Sequence, residues 1–344
     1  MMKKKIAVLF GGQSTEHEVS RSSAASILRN LNQDKYDICP IGITKKGEWY
    51  EYHGSIDKVE SGEWEHDEHY KTYNAQELLF KRKVDVVFPV LHGLYGEDGT
   101  IQGLCKLICI PCVGSGVMSS SICMDKVYTK YVLEKFGVKM ADYCECNAAE
   151  YKDNKQQIIN DVENRLGYAV FIKPSNSGSS VGITKAHNRT ELEKGILEAF
   201  KYDRKVLIEK AVNAREIEVA VLGNDEPEAA APGEIIPGKE FYDYEAKYSS
   251  EKSRLIIPAA LKDEKLEEIK QTAIKVYKAL DCAGMARVDF LIDKNTLEVY
   301  LNEVNTIPGF TKISMYPKMW NVSGKLYGEL LDELIELAIE RNNK

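Results

Sequence analysis

Two predicted β-strands near the end of the chain carry four polar side chains at alternate positions among apolar residues. They lie in ARVDFLID (286–293) and TLEVYLNEVNT (296–306), and they are Arg287, Asp289, Glu303 and Asn305. Side chains alternate across a strand, so an odd-length turn around Lys294 to Thr296 puts the odd positions of both strands on one face. The sequence therefore predicts one face that presents two carboxylates, an amide oxygen and a guanidinium.

This combination of side chains suits a metal and a phosphate. Mg²⁺ prefers oxygen ligands and keeps its remaining sites for water and substrate phosphates. A guanidinium beside the acids can bind a phosphate or a developing oxyanion through two parallel hydrogen bonds. The alternative is a buried ion network that only fixes strand register. We favour the metal and phosphate site, because other phosphate-binding patterns occur upstream.

The segment FIKPSNSGSSVGI (171–183) is a predicted strand that leads into a loop of small residues. Backbone amides in such a loop can bind phosphates, and Lys173 adds a positive charge at the end of the strand. The loop is not a Walker sequence, since G-x-x-x-x-G-K-[ST] does not occur in the chain, and a simple hairpin is the alternative. Lys126 opens a predicted helix, where a solvated lysine is the alternative. Glu209 and Glu216 can bind ribose hydroxyls or face water.

Three further segments carry candidate residues. In GGQSTEHEVS, Thr15-x-x-Glu18 matches a capping box, and Glu16 would project toward the cleft. Alternatively, both acids only complement the helix dipole. His92 follows an apolar strand in LHGLYGEDGT, where a structural and a catalytic histidine are both open interpretations. The crowded aromatic residues of FYDYEAKYSSEKS (241–253) predict a lid that packs over the cleft.

Length and composition restrict the class of protein. The chain has 344 residues, 44% of them hydrophobic and 29% charged, so we expect two or three domains that can enclose a cleft. A net charge of -7 and a pI near 5.6 argue against a nucleic-acid partner. Apolar stretches are too short for a membrane span or a signal peptide, which predicts a cytoplasmic protein without membrane association. The scattered cysteines predict reduced thiols and no zinc site.

Strand-like and helical runs alternate over the first 115 or so residues. Continuous apolar strands between helices predict a mainly parallel α/β sheet that is covered on both faces. Polar clusters follow three of these strands, at the end where such sheets bind ligands. We predict an N-terminal α/β domain at 1–118, a central domain at 119–210 and a C-terminal domain at 211–344, with the lid at about 238–253.

Together the segments resemble the ATP-grasp fold and, within it, the D-alanine:D-alanine ligase family. The resemblance runs from residue 6 to about 324, through GGQSTEHEVS, LHGLYGEDGTIQG, GSGVMSSSICMDK, KPSNSGSSVG, IEK, FYDYEAKY, ARVDF, NEVNTIPGFT and SMYP. It implies a three-domain α/β fold in which central and C-terminal α+β domains hold ATP between two antiparallel sheets. The amino acids would lie where all three domains meet. A homodimer is expected by analogy.

The resemblance also implies a role for each matching residue. Those matched to ATP are Lys126 and Lys173, on the phosphates, Glu209, Lys210 and Glu216, around adenine and ribose, and Asn302. Those matched to two Mg²⁺ ions, which Mn²⁺ can replace, are Asp289, Glu303 and Asn305. Those matched to the reaction are Glu16 at the ammonium of the first D-alanine, with Ser179 and Tyr248 hydrogen-bonded to that acid when the lid shuts; His92 near that substrate; Arg287 and the Gly309 amide as the oxyanion hole; and Lys247, Ser314 and the Met315 amide at the second carboxylate.

The implied reaction joins two D-alanine molecules for peptidoglycan precursor synthesis. ATP phosphorylates the first to an acyl phosphate, which the amine of the second attacks. Tyr248 and Met315 fit D-alanine as the second substrate, with D-serine as the runner-up. A catalytically silent nucleotide-binding module is the alternative from another class, and the polar set around Arg287 argues against it. The interpretation as an NAD oxidoreductase is rejected, because no G-x-G-x-x-G follows the first strand.

Overall fold

The computed structural model describes residues 3–73, 76–81, 83–178, 181–236 and 254–343. Their strands form three sheets, which we call N-terminal (β1–β5), central (β6–β9) and C-terminal (β10–β15). Each sheet takes its strands from one stretch of the chain, inside one of the three predicted domains. The multi-domain α/β fold is confirmed, whereas the domain limits stay a prediction.

The N-terminal sheet has the strand order β4-β3-β2-β1-β5. Its strands are β1 (Lys4–Gly11), β2 (Tyr36–Ile43), β3 (Trp49–Tyr52), β4 (Lys71–Tyr73) and β5 (Val86–Pro89). β1 pairs in parallel with β2 and β5, while β3 and β4 extend the edge in antiparallel fashion. The apolar residues of IPCVGSG (110–116) predict a further short strand, but the segment contributes only an isolated parallel bridge between Cys112 and Val87.

Helices lie between and beside the strands. They are α1 (His17–Asn30), α2 (Ile56–Ser61), α3 (Gln76–Phe80), α4 (Thr100–Leu107), α5 (Val117–Met124), α6 (Lys126–Lys135), α7 (Ala148–Arg165), α8 (Arg189–Ala199), α9 (Asp263–Ala279), α10 (Met315–Val322) and α11 (Tyr327–Asn342). The capping box predicted for α1 is wrong, because Glu16 is the N-cap without a side-chain cap and Glu18 pairs with Lys45. Among the helices described, none has the length and apolar content to cross a bilayer.

The central and C-terminal sheets are antiparallel. The central sheet, in the order β6-β9-β7-β8, consists of β6 (Tyr143–Asn147), β7 (Val170–Pro174), β8 (Thr184–Ala186) and β9 (Lys205–Lys210). The C-terminal sheet, in the order β13-β12-β10-β14-β15 with β11 beside β10, consists of β10 (Ala214–Gly223), β11 (Glu228–Ala229), β12 (Gly233–Ile236), β13 (Arg254–Ile256), β14 (Gly284–Asp293) and β15 (Val299–Asn305). One face of each sheet packs apolar residues into a core that includes helices, α7 and α8 for the central sheet and α9 for the C-terminal sheet. We call the opposite faces the cleft faces.

A β-bulge sets the register of the polar residues on β14 and β15. Next to the turn, Leu291 pairs with Tyr300, which joins an odd position to an even one. The register then shifts after Phe290, and Asp289 pairs with Glu303. Asn302 is the extra residue on β15. The predicted odd-to-odd pairing is therefore correct, but the bulge produces it, not an odd-length turn.

Phe310 joins the N-terminal sheet to the last third of the chain. Its ring centroid lies 6.4 Å from that of Phe88 in β5, 5.5 Å from that of Tyr316 in α10 and 6.0 Å from that of Tyr327 in α11. The backbone N–H of Phe310 donates to Oγ of Ser23 in α1 at 3.1 Å. The loop that follows β15 is thus fixed by a core shared between the two ends of the chain.

Candidate active site

The cleft face of the C-terminal sheet carries polar side chains in rows across three strands. In the first row, Glu218 of β10 lies opposite Asp289, which lies opposite Glu303. In the next row, Arg287 lies opposite Asn305. Glu218 and Asp289 are buried, while Glu303 and Asn305 are partly exposed. The predicted common face of the four residues is confirmed, and Glu218 is a fifth that the sequence analysis missed.

Arg287 is held between acids. Its Nε donates to Oδ1 of Asp289 at 2.8 Å, and its Nη2 donates to Oδ2 at 2.6 Å. Nε also lies 3.1 Å from Oε2 of Glu218. Burial would lower the pKa of Arg287, but the charges of Asp289 and Glu218 raise it well above its ordinary value. The guanidinium is therefore a permanent charge at this face.

The donors on this face fit a magnesium ion. Asp289 and Glu303 offer carboxylate oxygens and Asn305 an amide oxygen, which are hard ligands of the type that Mg²⁺ selects. Nδ2 of Asn305 donates to Oδ2 of Asp289 at 3.0 Å, which orients the amide. In the ranges that the structure covers, no three His, Cys, Asp or Glu residues form a ready-made metal cluster.

Lys173 connects the two cleft faces. Its Nζ donates to Oδ1 of Asn302 at 3.3 Å, so a side chain of β7 meets the bulge of β15. The same Nζ lies 2.6 Å from Oε2 of Glu209, whose Oε1 lies 2.7 Å from Nζ of Lys130. Burial would raise the pKa of Glu209, but the two ammonium groups lower it to about 2. Glu209, which the resemblance matched to adenine and ribose, thus holds Lys173 at the cleft.

Lys126 and the Gly/Ser loop are positioned by one carboxylate, that of Asp125. Asp125 caps α6, accepting from the backbone N–H groups of Val127 and Tyr128 at 3.2 Å each. The Ser175 hydroxyl donates to the same Oδ1 at 2.6 Å, and Nζ of Lys205 lies 2.6 Å from Oδ2. Nζ of Lys126 then donates to the Ser177 carbonyl at 2.6 Å. The helix and the loop that bear the predicted phosphate ligands are therefore held together.

Two glycine-containing loops close over the carboxylate of Glu16. A Cβ atom on Gly93 would come within 2.6 Å of Oε2 of Glu16, and one on Gly178 within 2.4 Å. Gly93 also has a φ of +70°, which side chains rarely adopt. Glu16 itself is buried. The loops after β5 and β7 thus meet at the acid that the resemblance matched to a substrate ammonium.

His92 is buried and hydrogen-bonded through both ring nitrogens. Nδ1 lies 2.9 Å from the Ile307 carbonyl and Nε2 lies 3.0 Å from Oγ of Ser23. Burial lowers the pKa of His92, so the neutral ring donates from Nδ1 and accepts at Nε2. These bonds tie the segment after β5 to the loop after β15 and to α1. The geometry gives His92 a positioning role, and its predicted contact with substrate stays a prediction.

Glu97 is a candidate that the sequence analysis did not name, although it lies in the highlighted segment HGLYGEDGT. Its Oε2 accepts from the N–H of Gly93 at 2.8 Å, and its Oε1 accepts from the N–H of Ile307 at 3.1 Å. Burial and the nearby charge of Glu16 raise the pKa of Glu97 to about 8. Glu97 therefore ties the loop after β5, which contacts Glu16, to the loop after β15. Its position as an acidic residue in the polar segment after an apolar strand could have identified it from the sequence.

The residues matched to the oxyanion hole and the second carboxylate lie together. A Cβ atom on Gly309 would come within 2.7 Å of Oγ of Ser314. That oxygen accepts from the N–H of Thr311 at 3.0 Å and lies 2.8 Å from Oγ1 of Thr311. Ser314 is the N-cap of α10, and Met315 is its first residue. Backbone N–H groups at a helix start favour an anion such as a carboxylate.

The remaining predicted residues divide into two groups. Lys210 is exposed at the end of β9, and Glu216 is partly exposed on the cleft face of β10, opposite Leu291. Ser179, Lys247, Tyr248 and the whole predicted lid (238–253) lie outside the described residues. The described part of the chain thus brings the acidic face, the lysines, Glu16 and the start of α10 to one cleft region.

Comparison with known sequences identifies relatives over the whole chain. The family models described as "D-ala D-ala ligase N-terminus" and "D-ala D-ala ligase C-terminus" match residues 5–115 and 132–336. A D-alanine–D-alanine ligase of Clostridium novyi (strain NT) is 73% identical over 100% of both chains. A D-alanine–D-alanine ligase of Clostridium acetobutylicum is 72% identical over 99% of this chain and 100% of the relative.

Solved structures are similar over the same extent. The VanG D-Ala:D-Ser ligase from Enterococcus faecalis superposes with a TM-score of 0.89 at 39% identity, covering 98% of this chain and 100% of the other. The D-alanine-D-alanine ligase from Coxiella burnetii superposes with a TM-score of 0.84 at 36% identity, covering 100% and 96%. The similarity therefore extends to sequence, fold and length.

Proposed function

From the premise that this chain belongs to the D-ala D-ala ligase family, we propose that it joins two D-alanine molecules at the expense of ATP. It is an ATP-dependent ligase of cell-wall synthesis. D-serine, the runner-up second substrate, is not favoured. Relatives named D-alanine–D-alanine ligase reach 73% identity over the full chain, whereas the D-Ala:D-Ser ligase is 39% identical.

The first step of this function needs charge compensation around ATP. A carboxylate is a poor electrophile, so the first D-alanine must become an acyl phosphate. We assign Lys126 and Lys173 to the phosphates, and Glu16 to the ammonium of the first D-alanine. Asp289, Glu303 and Asn305 would hold Mg²⁺, which offsets phosphate charge when bound. Glu209 keeps the ammonium of Lys173 in the cleft, since the two groups are 2.6 Å apart.

The second step needs stabilisation of an oxyanion. When the amine of the second D-alanine attacks the acyl phosphate, negative charge develops on the carbonyl oxygen. We assign Arg287 and the amide of Gly309 to that oxygen, and Ser314 with the amide of Met315 to the carboxylate of the second D-alanine. Gly309 and Ser314 are near neighbours, which puts the two subsites side by side. Glu97 and His92 hold the loop after β15, which carries Gly309, through the N–H and the carbonyl of Ile307.

The observation that carries the proposal is the row of Asp289 and Glu303 beside Arg287, in a chain with full-length ligase relatives. We predict that release of ADP requires D-alanine and Mg²⁺, with D-alanyl-D-alanine as the product by mass. Glu303→Gln should lower kcat by roughly 100-fold or more, because a carboxylate that balances phosphate charge is lost. An assay of ADP release, with products identified by mass spectrometry, measures both effects.

A matched control is Glu298→Gln. Glu298 lies just before β15 and pairs with Lys139 at 2.5 Å, but both side chains are about half exposed. That variant should keep full activity. Wild-type kinetics in the Glu303→Gln variant would contradict the metal assignment, and ADP release that does not depend on D-alanine would contradict the ligase.

The location and assembly of the protein belong to the same proposal. Family membership supports a homodimer in the cytoplasm, with Mn²⁺ able to replace Mg²⁺. Analytical ultracentrifugation at micromolar protein concentration measures the assembly directly, and activity assays with Mn²⁺ in place of Mg²⁺ measure the metal preference.

A further inference from the structure

Glu218 is a buried carboxylate on the cleft face for which the mechanism above has no role. It lies opposite Asp289 in the register of β10 and β14, and its side chain is 10% exposed. Arg287 lies opposite Ala220, whose small side chain leaves room above the strand. Arg287 therefore has a carboxylate on its own strand, Asp289, and another on the neighbouring strand, Glu218.

Asp289 and Glu218 make different contacts with the guanidinium. Asp289 accepts two hydrogen bonds, at 2.8 and 2.6 Å, in the forked geometry that arginine and carboxylate favour. Glu218 contributes an ion pair, with Oε2 at 3.1 Å from Nε. In the structure as described, Asp289 is thus the principal partner of Arg287.

That arrangement conflicts with the metal role of Asp289. A divalent cation held by Asp289 would draw that carboxylate away from Arg287 and would repel the guanidinium. With Asp289 as its only counter-ion, Arg287 would lose its anchor on this face before the oxyanion develops. A second carboxylate that the cation does not use would keep it there.

We propose that Glu218 is a positioning residue that holds the Arg287 guanidinium at the reaction centre while a divalent cation engages Asp289. The inference rests on the proposed function, since it concerns the same site. Glu218 binds neither substrate nor metal in this assignment, and it acts only through Arg287. It supplies the counter-charge that Asp289 gives up.

The test compares Glu218→Gln with a matched control, Glu234→Gln. Glutamine keeps the size of the side chain and removes the charge. Glu234 is also buried and pairs with an arginine, Arg215, through contacts of 2.7 and 2.6 Å. It pairs in register with Ile217, whose side chain is on the core face of the sheet. Both variants lose a buried ion pair, but only one loses it at the cleft.

We expect Glu218→Gln to lower kcat by roughly 10- to 100-fold, because a displaced oxyanion donor costs that much, with little change in the KM for ATP. Glu234→Gln should keep kcat and lose only thermal stability. In an Arg287→Met background, Glu218→Gln should have no further effect on kcat, since the residue acts through Arg287. Equal kcat in the two glutamate variants, or additive losses in the double variant, would overturn the inference.

A second readout does not depend on turnover. Mn²⁺ binding to the protein in the presence of ADP, measured by electron paramagnetic resonance, should weaken far less in Glu218→Gln than in Glu303→Gln. An equal loss would make Glu218 a metal ligand and overturn the positioning role. Wild-type protein assayed in parallel separates the failures. If it forms no dipeptide, the proposed function fails, whereas an active wild type with an unaffected Glu218→Gln variant contradicts this inference only.

Discussion

The buried carboxylate of Glu209 forms ion pairs with two lysines at once. Its two oxygens each lie within 2.7 Å of a lysine ammonium, that of Lys130 or that of Lys173. Lys130 also donates to the Ala141 carbonyl at 3.2 Å and lies over the ring of Tyr143. Lys173 is thereby held extended toward the cleft instead of toward solvent.

We predict that Glu209→Gln destabilises the protein by about 3 to 5 kcal/mol at pH 7, because it leaves a buried lysine charge without its counter-ion. The lowered pKa of Glu209, about 2, means that its contribution is complete above the unfolded-state value of 4.5. The contribution is then lost as the pH falls toward 2. The difference in unfolding free energy between wild type and variant should therefore shrink between pH 4.5 and 2.

Urea unfolding at several pH values measures that difference. Glu298→Gln, which removes an exposed ion pair, should change the unfolding free energy by less than about 1 kcal/mol at any pH. A Glu209→Gln variant as stable as wild type at pH 7 would contradict the prediction.

Among single residues, the sequence identifies as site candidates those whose polarity differs from that of their neighbours. Arg287, Asp289, Glu303 and Asn305 interrupt apolar strands, which is a local signal. Glu218 gives the same signal in EIEVAVLG, where it alternates with apolar residues, and could have been found. Lys130 could not, because a lysine on a helix looks solvated until Glu209 is brought against it from a distant strand.

Among elements, α6 and the loop after β7 are joined through Asp125. The N–H of Lys126 donates to the Ser175 carbonyl at 2.9 Å, and the Asp125 carboxylate binds the Ser175 hydroxyl and the Lys205 ammonium. Burial would raise the pKa of Asp125, but hydrogen bonds from Lys205 and Ser175 lower it. A charged Asp125 therefore sets where the loop lies relative to Lys126.

We predict that Asp125→Ala raises the KM for ATP by roughly 10- to 100-fold, because the two phosphate-binding elements are no longer aligned. It should also lower the free energy of unfolding by about 0.5 to 2 kcal/mol through the lost helix cap. Asp125→Asn keeps a capping oxygen and should recover most of the stability but less of the KM. Steady-state kinetics with varied ATP, together with urea unfolding, measures the two effects.

Equal recovery of KM and stability in Asp125→Asn would show that capping is its whole contribution. Asn147→Ala is a matched control, since Asn147 caps α7 through the N–H of Glu150, and its side chain bonds to no described residue of the Gly/Ser loop. It should lose stability with no change in KM.

Element types were predicted better than their pairing. Continuous apolar runs predicted parallel strands such as β1 and β2, because a sheet that is covered on both faces imposes that pattern on a sequence. The bulge at Asn302 was not predictable, since nothing in LEVYLNEVNT marks one residue as extra. Only the opposing strand decides where the ladder shifts.

Across the whole molecule, apolar cores do not follow the three predicted domains. One core joins residues of β1 and β5 to residues of α10 and α11, with Phe310 between them. The central sheet has its own core, formed with α7 and α8. We therefore expect the two ends of the chain to unfold together and the central unit to unfold separately.

We predict that Phe310→Ala destabilises the molecule by about 3 to 5 kcal/mol through the cavity it leaves. It should reduce the hydrogen-exchange protection of amides in both β5 and β14, although these strands lie far apart in sequence. Ile196→Ala, in the core of the central sheet, should reduce protection only around β7 and β9. Native-state hydrogen exchange with mass spectrometry resolves these segments.

Reduced protection in β14 with unchanged β5 after Phe310→Ala would contradict a shared core. The resemblance predicted the three-domain plan, but not that its first and last parts share apolar packing. Long-range packing of this kind leaves no periodic trace in either segment.

The bulge in β15 has a consequence for how this protein can vary. Loss of the single codon for Asn302 would leave Leu301 opposite Phe290 and Glu303 opposite Asp289. The bulge would disappear, and β14 and β15 would form a regular hairpin. The acids would keep their neighbours, while Lys173 would lose its counterpart across the cleft. During evolution, one insertion or deletion of a codon can therefore add or remove the contact between the two sheets without changing the pairing of Asp289 with Glu303.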